Sequence, residues 1–108
     1  MALSRARPEP IIATWNKLEA REVLAVQLTA LRQLSYEQLV ERLLDREETF
    51  DVAGPSGTQY QVELQAFWDA RPNDVLHVLV SVDDGGWRAF VPLTDSFLVA
   101  PDGSIVGE

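Results

Sequence analysis

The chain has no cysteine, and among its 108 residues it has one histidine, one methionine and one lysine. Without cysteine it can form neither a disulfide nor a thiolate metal site. It also lacks an apolar run of about 18 residues, so we expect no transmembrane helix and no membrane partner. The absence of cysteine leaves the redox compartment open, and the cytoplasm is the default expectation.

Basic residues are scarce in the C-terminal part of the chain, which carries the whole net charge of −8. Residues 1–47 hold seven basic and seven acidic side chains, whereas residues 48–108 hold two basic and ten acidic ones. Phosphate backbones would repel this acidic half, so nucleic acid is not an expected partner. The length fits one domain with a modest core, and we expect a soluble protein.

The N-terminal segment contains two prolines and no apolar stretch of the kind that a signal peptide needs. Residues 1–13 are therefore predicted to form a flexible arm, and residues 14–108 a single domain. Asn16 followed by Glu19 resembles a capping box and predicts a helix from about Lys17 to Gln33. Its apolar stripe consists of Ala20, Leu24, Leu28 and Leu31.

A second capping signal, Ser35 followed by Gln38, predicts a helix from about Tyr36 to Glu47. Two strands follow, over residues 49–53 and 58–68. A three-residue loop ending in Gly57 is expected between them, since glycine accepts the left-handed conformation that such a loop requires. This loop length pairs Val52 with Tyr60 and Phe50 with Val62.

The segment from Val75 to Phe97 has the strongest hairpin signal in the chain. Asp84-Gly85 lies between two apolar-rich runs, residues 75–82 and 87–91, and favours a tight turn. The turn predicts five cross-strand pairs: Val82 with Trp87, Val80 with Ala89, Val78 with Val91, Leu79 with Phe90, and Ser81 with Arg88.

After Pro92 the alternation resumes at Phe97 and Val99, and a turn at Pro101–Gly103 would pair Val99 with Ile105. Helices grouped before strands indicate the α+β class. The predicted architecture is two N-terminal helices packed on a five- or six-stranded antiparallel β-meander. The helices would cover a core formed by Phe50, Val62, Leu64, Val78, Val80, Trp87 and Val91.

The C-terminal part also resembles small uncharacterised prokaryotic proteins. The resemblance covers roughly residues 48–108 and implies no particular activity. It rests on four stretches: Gly57–Glu63, Asp83–Arg88, Pro92–Phe97 and Pro101–Ser104.

Residue patterns typical of catalysis are missing from the sequence. We find no nucleotide-binding loop, no catalytic triad and no metal-ligand spacing, so we predict no catalytic residues, no metal and no cofactor. The turn explains the paired carboxylates Asp83 and Asp84 without a metal.

The sheet face opposite the helices is the candidate binding surface. We expect it to bind a protein partner or a second copy of the chain, as a non-catalytic interaction or accessory module. The alternative is a small-molecule-binding domain or minor enzyme that uses Glu63, His77 and Arg88. The predicted binding residues are Gln61, Glu63, His77, Leu79, Arg88 and Phe90.

Overall fold

The computed structural model describes residues 9–83 and 92–107, with side chains from residue 17 onward. Its strands form one open antiparallel sheet in the order β1-β2-β3-β4-β5. The predicted α+β class and the helices-then-meander order are confirmed. The elements are α1 (Glu9–Arg32), α2 (Tyr36–Leu43), β1 (Glu48–Ala53), β2 (Gln59–Trp68), β3 (Leu76–Asp83), β4 (Leu93–Val99) and β5 (Ile105–Val106).

Helix α1 begins at Glu9, well before the predicted cap at Asn16. Residues 9–13, which the sequence assigned to an arm, are therefore helical. Pro10 lies in the first turn, where its missing N–H costs no intrahelical hydrogen bond and its fixed φ suits the helix. Glu19 is not a capping residue, since its carboxylate bonds to Ser56 and Tyr60 instead.

The predicted cap of α2 is confirmed in both directions. The Gln38 backbone N–H donates to Ser35 Oγ at 3.0 Å, and the Ser35 N–H donates to Gln38 Oε1 at 2.8 Å. The helix ends at Leu43 and not near Glu47. Leu44 is already extended and forms a β-bridge to Ala66, which draws the chain onto the sheet.

The hairpin of β1 and β2 has the predicted register, with Val52 opposite Tyr60 and Phe50 opposite Val62. Gly57 has φ = +93°, and its N–H donates to the carbonyl of Gly54 at 2.9 Å. The three-residue loop therefore keeps the apolar residues of both strands on one face.

The predicted register of the central hairpin is wrong. Val82 lies between Val62 of β2 and Leu93 of β4, so neither of its neighbours is Trp87. Likewise Val80 faces Asp95 and Val78 faces Phe97. The partners expected between residues 87 and 91 lie outside the described residues. This register buries Phe97 and Val99 against the core, which a tight turn at Asp84-Gly85 would not do.

One sheet face is covered by the helices, and the core lies between these two layers. The predicted core residues Val62, Leu64, Val78 and Val80 are buried, while Phe50 on β1 is half-buried. Trp87 and Val91 lie outside the described residues. The predicted α1 stripe and the Val99–Ile105 pair are both confirmed.

Candidate functional site

The candidate site is the outer face of the sheet, which the helices do not cover. Strands β2 and β3 alternate between the two faces, because successive side chains of a strand point to opposite sides. Gln61, Glu63, His77 and Leu79 alternate with buried core residues, so all four lie on the outer face. Arg88 and Phe90, the other predicted binding residues, lie outside the described residues.

One row of side chains crosses the outer face at one end of the sheet. Phe67 lies opposite His77, His77 opposite Leu98, and Leu98 opposite Val106. The rings of Phe67 and His77 are in contact, with centroids 4.8 Å apart and planes inclined by 53°. Phe67 is 42% exposed and Val106 is 40% exposed. We call these four residues the outer apolar row.

The rows next to it become progressively more polar. Leu79 lies between Gln65 and Ser96, and it is half-buried. Gln65 donates from Nε2 to Glu47 Oε2 at 2.8 Å, so its amide is held toward the sheet edge. The apolar surface therefore extends one residue beyond the outer apolar row, to Leu79.

The opposite end of this face is acidic. Asp51 lies opposite Gln61, which faces Asp83, and Glu63 lies opposite Ser81. A small concavity there is lined by Gln61, Glu63, Ser81, Asp83 and Pro92. The face thus has an apolar end and an acidic end.

Glu63 and His77 do not form a joint site among the described residues. Glu63 lies opposite Ser81, and His77 is four residues away along β3. At about 3.3 Å per residue, the two side chains start about 13 Å apart. Direct proton transfer or shared ligand contact needs groups within hydrogen-bond reach, so this geometry does not favour the enzyme alternative.

One carboxylate that the sequence analysis did not identify as a site accepts three hydrogen bonds. Glu19 accepts from the Tyr60 hydroxyl, the Ser56 hydroxyl and the Ser56 N–H, each at 2.7 Å. The Tyr60 hydrogen bond foremost, and then those from Ser56, lower the pKa of Glu19 from its ordinary value of 4.5. These contacts join α1 to the β1–β2 loop and to β2, and they have a structural role.

The residues that the sequence analysis missed are Phe67, Leu98 and Val106. The buried apolar residues of β2 occupy every second position, and Phe67 lies at one of the positions between them. This spacing could have predicted that Phe67 is an exposed aromatic residue. Leu98 and Val106 could not be placed beside it, because their neighbours depend on the β3–β4 and β4–β5 registers.

Within residues 9–83 and 92–107 there is no group of three or more potential metal ligands. The same part of the chain contains no helix that is both long and apolar enough to cross a membrane. Comparisons with family models, curated proteins and solved structures find no match to this chain. The resemblance over residues 48–108 therefore stays a prediction.

Proposed function

We propose that this protein is a non-catalytic interaction module of the cytoplasm, which binds a protein partner through the outer sheet face. The observation that carries the proposal is the outer apolar row with Leu79 beside it. Single exposed apolar residues are common on protein surfaces, whereas a contiguous apolar group indicates a binding surface. Here the cross-strand register places three apolar side chains in one row, with the His77 ring between Phe67 and Leu98.

The arrangement of polarity supports a protein partner. Protein interfaces combine an apolar, often aromatic centre with a polar rim. Phe67 and Leu79 provide apolar area, and Gln65 and Ser96 flank Leu79 on the neighbouring strands. Asp51, Glu63 and Asp83 add negative charge at the far end, which favours a partner with basic residues at the corresponding positions.

The proposal is tested with Phe67→Glu, which places a charge in the outer apolar row. The matched control is Leu18→Glu, because Leu18 is a similarly exposed apolar residue on α1, at 53%. Affinity capture from the native host, followed by titration of each captured protein with purified variants, measures binding. Circular dichroism checks that both variants are folded.

We expect a partner that binds the natural protein and the Leu18→Glu variant but binds Phe67→Glu at least about tenfold more weakly. Equal binding of both variants to every captured protein would contradict the outer face as the binding surface. A similar result with Leu98→Glu would locate the contact on the row as a whole.

A further inference from the structure

Strand β1 forms an open edge of the sheet. Among the described residues it pairs only with β2, and the order of strands places nothing on its other side. It is six residues long, Glu48–Ala53, and contains neither proline nor lysine. Proline and lysine are two of the residues that natural proteins use to block an edge strand from pairing with another strand.

The hydrogen-bond pattern identifies the backbone groups that this edge presents. The Gly54 N–H donates to the Thr58 carbonyl at 2.8 Å. In an antiparallel pair, bonded and non-bonded positions alternate, so Val52 and Phe50 also bond to β2. The N–H and C=O groups of Thr49, Asp51 and Ala53 therefore point away from β2, toward the open side.

A second feature lies beside the same edge. The side chain of Val26 on α1 is 63% exposed, although valine is usually buried. Together with Val23 of α1 and with Val52 and Pro55, it lines a groove between the helix and the end of β1. A strand added to β1 would lie along this groove and reduce the exposure of Val26.

We propose that β1 pairs antiparallel with β1 of a second copy of this chain, about a two-fold axis at Phe50. This surface is separate from the outer apolar row. The edge is self-complementary in this register. Phe50 lies opposite its own copy, Thr49 opposite Asp51, and Glu48 opposite Val52. A second strand satisfies the outward backbone groups, which a compact ligand could not do along a whole strand.

Charge selects this register over the next one. A shift by one pair would place Asp51 opposite Asp51 of the other copy, and like charges directly opposite each other are destabilising. In the proposed register Asp51 faces a threonine hydroxyl, which can donate a hydrogen bond. The other acidic side chain of β1, Glu48, is paired with Arg42 of its own copy, Nε to Oε2 at 2.8 Å.

The first test is sedimentation of the full chain over a range of concentrations. Asp51→Pro removes an outward N–H, and an edge strand tolerates proline there because that N–H has no partner within the sheet. Asp51→Ala is the matched control, since it removes the same side chain and keeps the N–H. We expect a dimer for the natural chain and for Asp51→Ala. For folded Asp51→Pro we expect a dissociation constant raised at least about tenfold.

The second test uses the absence of cysteine, which makes an introduced thiol the only one in the chain. Residues opposite each other at a non-hydrogen-bonded position have Cα atoms about 4.5 Å apart, within disulfide range. Phe50→Cys should therefore form a covalent dimer on mild oxidation. Val52→Cys should not, because its copy lies about 13 Å away.

Three results would overturn the proposal. One is a monomer at all concentrations, and another is a dimer that Asp51→Pro leaves unchanged. The third is a Phe50→Cys variant that cross-links no more efficiently than Val52→Cys, which would overturn the stated register. Because each copy carries a net charge of −8, added salt should strengthen the dimer by screening repulsion.

Discussion

The two faces of the sheet are built by the same strands but differ in what covers them. On β3, Leu76, Val78, Val80 and Val82 are all fully buried beneath the helices. The residues between them on the outer face are half-buried, because neighbouring strands shield the sides of a central strand but nothing among the described residues lies above it. The full burial of residues on the covered face therefore comes from the helices packed on it. The partial burial of residues on the outer face comes only from the neighbouring strands.

This difference separates residues that stabilise the fold from residues that can bind. A buried side chain on the covered face already contacts its neighbours and has no surface to offer. Phe67 and Val106 on the outer face keep about two fifths of their surface exposed, even though they belong to ordered strands. Substitutions on the two faces should therefore affect different measurements.

The largest expected effect is that of Leu64→Ala on the covered face. Leu64 is 1% exposed, so its truncation leaves a cavity that packed neighbours cannot fill, at a cost of about 2–5 kcal/mol. Leu79→Ala is the control on the outer face and should cost less than about 1 kcal/mol. Urea unfolding measures both. Equal losses would show that a second layer also covers the outer face.

Gly57→Val tests the loop that keeps the two faces distinct, and it should cost about 1–3 kcal/mol. An added Cβ at Gly57 would contact nothing within 4 Å, so the loss comes from the backbone at φ = +93° and not from crowding. Gly57→Asn should lose less, since asparagine tolerates the left-handed region better. Thermal unfolding compares the two, and an unaltered melting temperature for Gly57→Val would contradict this account.

Local signals predicted the parts of the fold that depend on local geometry. Gly57 and Ser35 are examples, because the φ requirement of a loop and the hydrogen bonds of a cap involve only adjacent residues. The start of α1 was missed because the Asn16-Glu19 pattern resembled a cap. In the structure, the Glu19 carboxylate bonds to Ser56 and Tyr60, which are distant in sequence.

The central hairpin shows why a strong turn signal is not sufficient. The Asp84-Gly85 signal depends on adjacent residues, whereas the register depends on burying Phe97 and Val99 far along the chain. The alternation of apolar and polar residues along the strands correctly predicted that one face carries Gln61, Glu63, His77 and Leu79. The outer apolar row could not be predicted, because it requires three cross-strand registers at once.

A smaller effect is expected from Tyr60→Phe, which removes the foremost hydrogen bond to Glu19. The pKa of Glu19 is lower in the folded chain than its ordinary 4.5. Its contribution to stability is therefore present above pH 4.5 and is lost as the pH falls through the folded pKa. Without the Tyr60 hydroxyl, the acid-induced loss of stability should become shallower below pH 4.5.

The control for this prediction is Tyr36→Phe, because the Tyr36 hydroxyl donates to the carbonyl of Asp74 and does not contact Glu19. Urea unfolding at several pH values between about 3 and 7 measures the slope, which spans the range where a carboxyl group titrates. Identical slopes for Tyr60→Phe and the natural chain would show that Ser56 alone holds Glu19 ionised.

The smallest expected effect is the coupling between Phe67 and His77 on the outer face. Their ring centroids are 4.8 Å apart, but Phe67 is 42% exposed, so the coupling should be about 0.5 kcal/mol, the low end for aromatic pairs. A double-mutant cycle of Phe67→Ala and His77→Ala at one fixed pH measures it. The control cycle pairs Phe67→Ala with Ser81→Ala, a distant outer-face residue that should be additive. Zero coupling in the first cycle would mean that the two rings contribute to the outer face independently, and that neither orders the other before a partner binds.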